Sequence, residues 1–187
     1  MDMPANLTNQ FLIAMPGLQD PNFYQSVTYI CEHNENGALG VVINRETDVS
    51  LAEVITQLGL DWDRKENGDQ RVFLGGPVDK QRGFIIHDPV GDWGSTIKVT
   101  DTIGVTTSRD IIEAIAQSGG PIRRLVALGY AGWGAGQLEQ EMAANAWLNG
   151  PADPHIIFDL PVEERWEAAA LCMGVDLRRL SNDVGHA

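Results

Sequence analysis

The stretch VTYICEHNENGALGVVIN, residues 27–44, constrains the fold more than any other. Two runs of β-branched, aromatic and aliphatic residues flank Asn-Glu-Asn-Gly, a turn whose glycine is free to take positive φ. The pattern predicts a β-hairpin of residues 26–33 with 38–44. With strict alternation, Val27, Tyr29, Cys31 and His33 share one face, and Thr28, Ile30 and Glu32 share the other.

Around the hairpin the chain alternates short apolar runs with punctuating glycine and proline. FLIAM (11–15), stopped by Pro16-Gly17, reads as a strand buried on both faces. RVFL (71–74), GFIIH (83–87) and TIKVT (96–100) read as further strands, RLVALGY (124–130) as the central one, and HIIFDL (155–160) as another. Ser50 and Glu53 stand at capping-box spacing before Leu51, Val54, Ile55 and Leu58, and Gly59 closes that helix. Thr107 and Asp110 repeat the spacing before a helix with Ile111, Ile112, Ile115 and Ala116 inward. A third helix is expected from Gln137 to about Leu148. A last one starts at Pro161, stacks Trp166, Ala169, Ala170 and Met173, and stops at Gly174. Residues 61–70, charged and without apolar rhythm, read as an exposed loop. Strands cluster early and helices intersperse late, so the class is α+β rather than regular βαβ.

Length and charge bound the function. The 187 residues are 43% apolar, enough for a core and short enough that a single domain, 1–187, is expected. No apolar run reaches membrane-spanning length and the N-terminus lacks a signal-peptide pattern, so a cytoplasmic protein is expected. Twenty-six acidic residues against thirteen basic leave a net charge of −13. Nucleic-acid binding begins with cations neutralising phosphates, so direct contact with DNA or RNA is disfavoured. Partners of another kind, a protein or a small anionic metabolite, fit better.

Three constellations carry possible chemistry. GYAGWGAGQLEQE (129–141) places a strand, a glycine-rich turn and a helix start in the order of an anion cradle. Its spacing matches neither a dinucleotide fingerprint nor a P-loop, and Glu139 and Glu141 already face the helix dipole. With the tight corner Gly75-Gly76-Pro77, it marks a candidate ligand site of Gly75, Gly76, Pro77, Gly132, Trp133, Gly134, Gly136 and Gln137, with backbone amides as donors and Trp133 as an apolar wall. A thiol enzyme is the alternative. Cys31 and His33, two residues and about 7 Å apart on one strand face, gain His87 and Asp88 as base and orienting carboxylate if their strands meet. Cysteine is also a common core residue, and nucleophilic work requires a low thiol pKa. Asn44-Arg45 at a strand end could receive a carboxylate through the guanidinium fork or form a surface ion pair. Four histidines without helical i, i+4 spacing and two distant cysteines offer no metal site, and no cofactor is named by any motif.

FLIAMP, VTYICEHNENGALGVVIN, GGPV, GFIIH, LGYAGWGAGQLEQE, NAWL and the terminal GHA, taken in this order, resemble the AlgH/YqgE family of bacterial proteins. The resemblance runs from about Leu12 to Ala187. It implies an α+β fold with a bifurcated, partly barrel-like mixed sheet surrounded by helices. It implies no established reaction; the family carries a transcriptional-regulator label, and no helix-turn-helix pattern accompanies it here.

Overall fold

The computed structural model describes residues 6–62 and 70–184. Its centre is a strand of twelve residues that holds several partners at once. β1 (Gln10–Ala14), β2 (Val27–Asn34) and β3 (Gly37–Val42) are followed by β4 (Glu46–Ser50), α1 (Leu51–Gln57), β5 (Arg71–Leu74) and β6 (Val78–Asp88). Next come β7 (Thr96–Lys98), β8 (Gly104–Thr106), α2 (Arg109–Ala116) and the central β9 (Arg123–Gly134). The chain ends with α3 (Gln137–Ala143), β10 (Trp147–Pro151), α4 (Pro154–Phe158), α5 (Arg165–Leu171) and α6 (Leu177–Val184).

β9 makes the sheet fork. Its first half pairs with β6 on one edge, through Phe84 opposite Ala127, and with β5 on the other, through Phe73 opposite Ala127. From Ala131 to Gly134 its second edge passes to β3. The path β10-β1-β2-β3-β9-β6-β8-β7 is antiparallel throughout, and β5 is the parallel partner of β9. The sheet curls into a half-barrel carrying helices, the bifurcated α+β architecture that the resemblance implies.

Three apolar clusters fill it. The largest lies against α4, α5 and α6, with Phe11, Tyr29, Ile43, Phe84 and Ile86 among its fully buried members. α1 and α2 cover a second, where Ile111, Ile112 and Ile115 seal the sheet and each contributes about 2 kcal/mol. α3 covers the third, around Trp133, Trp147 and Leu138.

The hairpin pairs as expected, and α1 begins with the capping box of Ser50 and Glu53. Five expectations change. α2 is preceded by Ser108 rather than Thr107, and the Ser108 hydroxyl donates to Asp110 instead of accepting from the helix. AGWG continues β9 rather than forming a loop, because β3 offers it a second row of backbone partners. α3 ends at Ala143, since Asn145 takes φ +59° and turns the chain into β10 beside β1. HIIFDL is helical, not extended: Asp153 caps it by accepting from the His155 amide, and Pro154 starts it. The last helical segment divides into a 3-10 turn at Val162–Glu164 and α5. Of the expected exposed loop at 61–70, residues 63–69 lie outside the described ones.

Candidate functional site

The hairpin contains the decisive irregularity. Ile30 pairs with Gly40, but Glu32 already pairs with Leu39, so Cys31 is an extra residue in a β-bulge. One inserted residue inverts the alternation beyond it. Cys31 therefore stays with Val27 and Tyr29 in the main core, while His33, opposite Ala38, emerges on the far face under α3. The expected shared face of Cys31 and His33 does not exist.

Each half of that pair is committed elsewhere. Cys31 is fully buried and its thiol donates to the Tyr29 carbonyl at 3.6 Å. Burial, reinforced by Glu32, pushes the thiol well above its ordinary pKa, the opposite of what a nucleophile requires. The Leu7 amide donates to His33 Nδ1 at 2.9 Å, so the ring proton sits on Nε2 and is donated to Glu139 Oε1 at 2.5 Å. His33 thus ties the N-terminal segment, the hairpin and α3 together. Glu139 is held below the usual carboxylate range by its own backbone amide and by His33.

His87 is fully buried on β6, with β3 and β9 between that strand and β2. Its neighbour Ile86 faces the main core with Cys31, so His87 points to the other side of the sheet. Nδ1–H donates to the Pro89 carbonyl at 2.9 Å, and Nε2 accepts from the Thr106 hydroxyl at 2.7 Å. Burial lowers its pKa, which keeps the ring neutral. Asp88 lies 4.0 Å from Arg123, and both ring nitrogens of His87 are taken by Pro89 and Thr106 rather than by Asp88. The structure does not bring Cys31, His33, His87 and Asp88 into one constellation. Arg45 donates to the carbonyls of Pro21, Asn22 and Tyr24, a third outcome beside the two weighed for it.

The two glycine corners prove different in kind. Gly75-Gly76-Pro77 is where the chain leaves β5 on one edge of β9 and crosses to β6 on the other. A Cβ on Gly76, at φ +158°, would lie 2.1 Å from the Tyr130 backbone, and one on Gly75 would lie 2.4 Å from the Gly129 carbonyl. Two backbones cross there with no space for a side chain.

The second corner, at the end of β9, is braced by α3. Gln137 Oε1 accepts from the Gly134 amide at 3.0 Å, and Gly136 takes φ +76° ahead of the helix. Glu141 Oε1 accepts from the indole N–H of Trp133 at 3.2 Å and of Trp147 at 3.1 Å, while Oε2 accepts from Gln137. Phe23 stacks near Trp133 and meets Trp147 edge-on. Trp133 is 6% exposed, so its ring serves the third core cluster more than any open wall. Beside it, the hairpin tip opens a groove of about 310 Å3 lined by Glu32, Asn34, Asn36, Gly37, Leu39 and Trp133. No cation lines it.

A larger groove of about 790 Å3 lies between α1 and the start of β6, with Glu53, Leu58, Lys80 and Leu128 among its lining residues. Among the described residues, no three His, Cys, Asp or Glu side chains gather at metal-binding distance. No described helix is long and apolar enough to cross a membrane.

An AlgH-like family model matches residues 11–178. The chain belongs to the AlgH-like family. A UPF0301 protein of Thioalkalivibrio sulfidiphilus is 58% identical over 187 residues, covering 100% of both chains. One from Nitrosococcus oceani is 53% identical over 179 residues, 96% of each. The solution structure of AlgH from Pseudomonas aeruginosa superposes with a TM-score of 0.80 at 49% identity, over 97% of this chain and 96% of that one. A protein of Corynebacterium diphtheriae shares the fold at TM-score 0.69 and 21% identity, over 91% of this chain and 88% of that one. The AlgH/YqgE resemblance and its α+β fold thus hold along nearly the whole chain, and the regulator label remains a name.

Proposed function

We propose that this AlgH-like protein works by binding a small ligand at the end of β9, in the groove beside Gly132, Trp133, Gly134, Gly136 and Gln137, and that any regulatory effect passes through that ligand rather than through DNA. The observation that carries the reading is the combination of a braced groove with uncommitted polar side chains at its mouth. The Trp133 indole, the Gly134 amide and His33 are all fixed by α3, whereas Glu32 is exposed and unpaired among the described residues and Asn34 keeps its amide donors for a ligand. Preorganised walls lower the ordering cost of binding.

The lining sets the ligand class. With a carboxylate, two carboxamides and no cation, the groove suits a neutral or cationic molecule bearing hydroxyl or amide groups. An anion would meet Glu32, and the Gly134 amide it needs is occupied by Gln137. The net charge of −13 supports the same preference and weighs against nucleic acid.

Amide-shift mapping with neutral, cationic and anionic fragments tests this. Neutral or cationic fragments should move the resonances of 34–39 and 132–134, and Asn34→Ala with Asn36→Ala should weaken binding about tenfold with the fold retained. Immobility of those resonances across the whole panel sinks the proposal. Thiol alkylation of the folded protein separates the enzyme alternative: exposed Cys172 should take the label and buried Cys31 should not. Rapid labelling of Cys31 at neutral pH would revive thiol chemistry.

A further inference from the structure

At the opposite end of β9 the charge pattern reverses. Arg71 from β5, Arg124 from β9 and Arg165 from α5 wall a cavity of about 220 Å3 whose remaining surface is mostly apolar, with Phe73, Leu125 and Ile157. In a protein with twice as many acidic as basic residues, a small cavity where Arg71 and Arg165 face the single carboxylate of Glu46 is a local inversion of sign. We propose that this cavity binds a short aliphatic monocarboxylate, its head group on Arg165 and Arg71 and its stem on the apolar wall.

Arg165 carries the argument. It is 5% exposed, yet its hydrogen bonds go to backbone carbonyls: Nε donates to Leu160 at 3.0 Å and Nη1 to Ile43 at 2.6 Å. The Phe73 ring lies 5.3 Å from the guanidinium carbon. No carboxylate among the described residues lies within ion-pair distance of it, in contrast to Arg109, Arg123, Arg178 and Arg179, each of which has one. Glu46 and Asp159 act on it only through the longer-range field, and burial remains the larger influence. Carbonyl dipoles orient a cation without neutralising it, and a buried cation calls for a counter-charge. Nη2, the remaining amino group, has no acceptor among the described residues and belongs to a residue that lines the cavity.

Shape and charge choose the occupant. The cavity is small, so the ligand is short. Its apolar wall rewards methylene groups, which a phosphate ion lacks. Glu46 also lines the space, and its carboxylate penalises a dianion more than a monoanion. This site is independent of the hairpin groove, since different residues line the two.

The test is a titration of the full chain at pH 7 with acetate, butyrate and hexanoate, and separately with inorganic phosphate, following the Arg165 Nε–Hε resonance. Saturable binding should tighten about fourfold for each methylene between acetate and butyrate and level off when the cavity is full. Arg165→Lys should lose butyrate binding. Arg71→Gln, at an exposed position that leaves the Ile43 and Leu160 contacts in place, should weaken it at least fivefold and keeps the test decisive if the Arg165 variant does not fold. Absence of saturation, phosphate binding tighter than butyrate, or wild-type butyrate affinity in Arg71→Gln would each overturn the proposal.

Discussion

At the C-terminal end of β9, two carboxylates of α3 receive ring N–H groups, Glu141 from Trp133 and Trp147 and Glu139 from His33. At the N-terminal end, the guanidinium of Arg165 is received by two backbone carbonyls. Both ends bury polar groups, but only the first saturates its acceptors with donors from its own side chains. The contrast teaches where binding capacity resides. A saturated network fixes walls and leaves recognition to its exposed rim, whereas a cation held by dipoles keeps charge to offer an incoming ligand.

The largest expected effect breaks the contrast at its saturated end. Glu141→Ala removes the acceptor from two nearly buried indoles and should cost about 3 kcal/mol, read by urea unfolding with tryptophan fluorescence. Glu141→Gln retains one acceptor oxygen and should recover at least half. A loss below about 0.5 kcal/mol for the alanine variant would show that the indoles find water instead, and the two ends would then be alike.

A smaller effect separates the ends by pH. The Glu139 pKa is depressed in the fold, so its stabilisation is fully present above the unfolded value of roughly 4.3 and is lost as pH falls through the lower folded value. Glu139→Gln should cost at most about 1 kcal/mol at pH 7, given its partial exposure, and should flatten the stability profile below pH ~4.3. A variant with an unchanged acid limb would remove Glu139 from the network's energetics.

The smallest effect is ionic. Raising sodium chloride from about 50 to 500 mM should weaken butyrate at the arginine cavity roughly threefold, while binding of a neutral fragment at the hairpin groove should not move. Equal salt response at both ends would contradict the assignment of opposite charge character.

These two ends were legible in the sequence to different degrees. The hairpin and α1 follow from local signals, a turn between β-branched runs and a capping box, and both formed where expected. The bulge at Cys31 has no such signal, because an inserted residue in VTYICEH looks the same as a regular one until the partner strand fixes the register. Glycines in AGWG suggested a loop, but the segment is strand, and the close approach is on the β3 side, where a Cβ on Gly37 would come within 2.1 Å of the Trp133 carbonyl. Asp153-Pro154 was a readable helix start before HIIFDL; the short apolar run obscured it. Arg165 reads in sequence as one more charged position in an acidic helix start. Its burial exists only after β4, β5, β9 and α4 have assembled around it.

The crossing of Gly75 and Gly76 over β9 bears on how the chain is made. Residues 71–88 span both edges of a strand that is not yet synthesised when they leave the ribosome, and β3 waits for the same strand. The sheet therefore cannot be completed across its middle until Arg123–Gly134 is available. Its edges invite mispairing until Arg123–Gly134 arrives, so chaperone demand and aggregation during synthesis should peak just before that strand emerges.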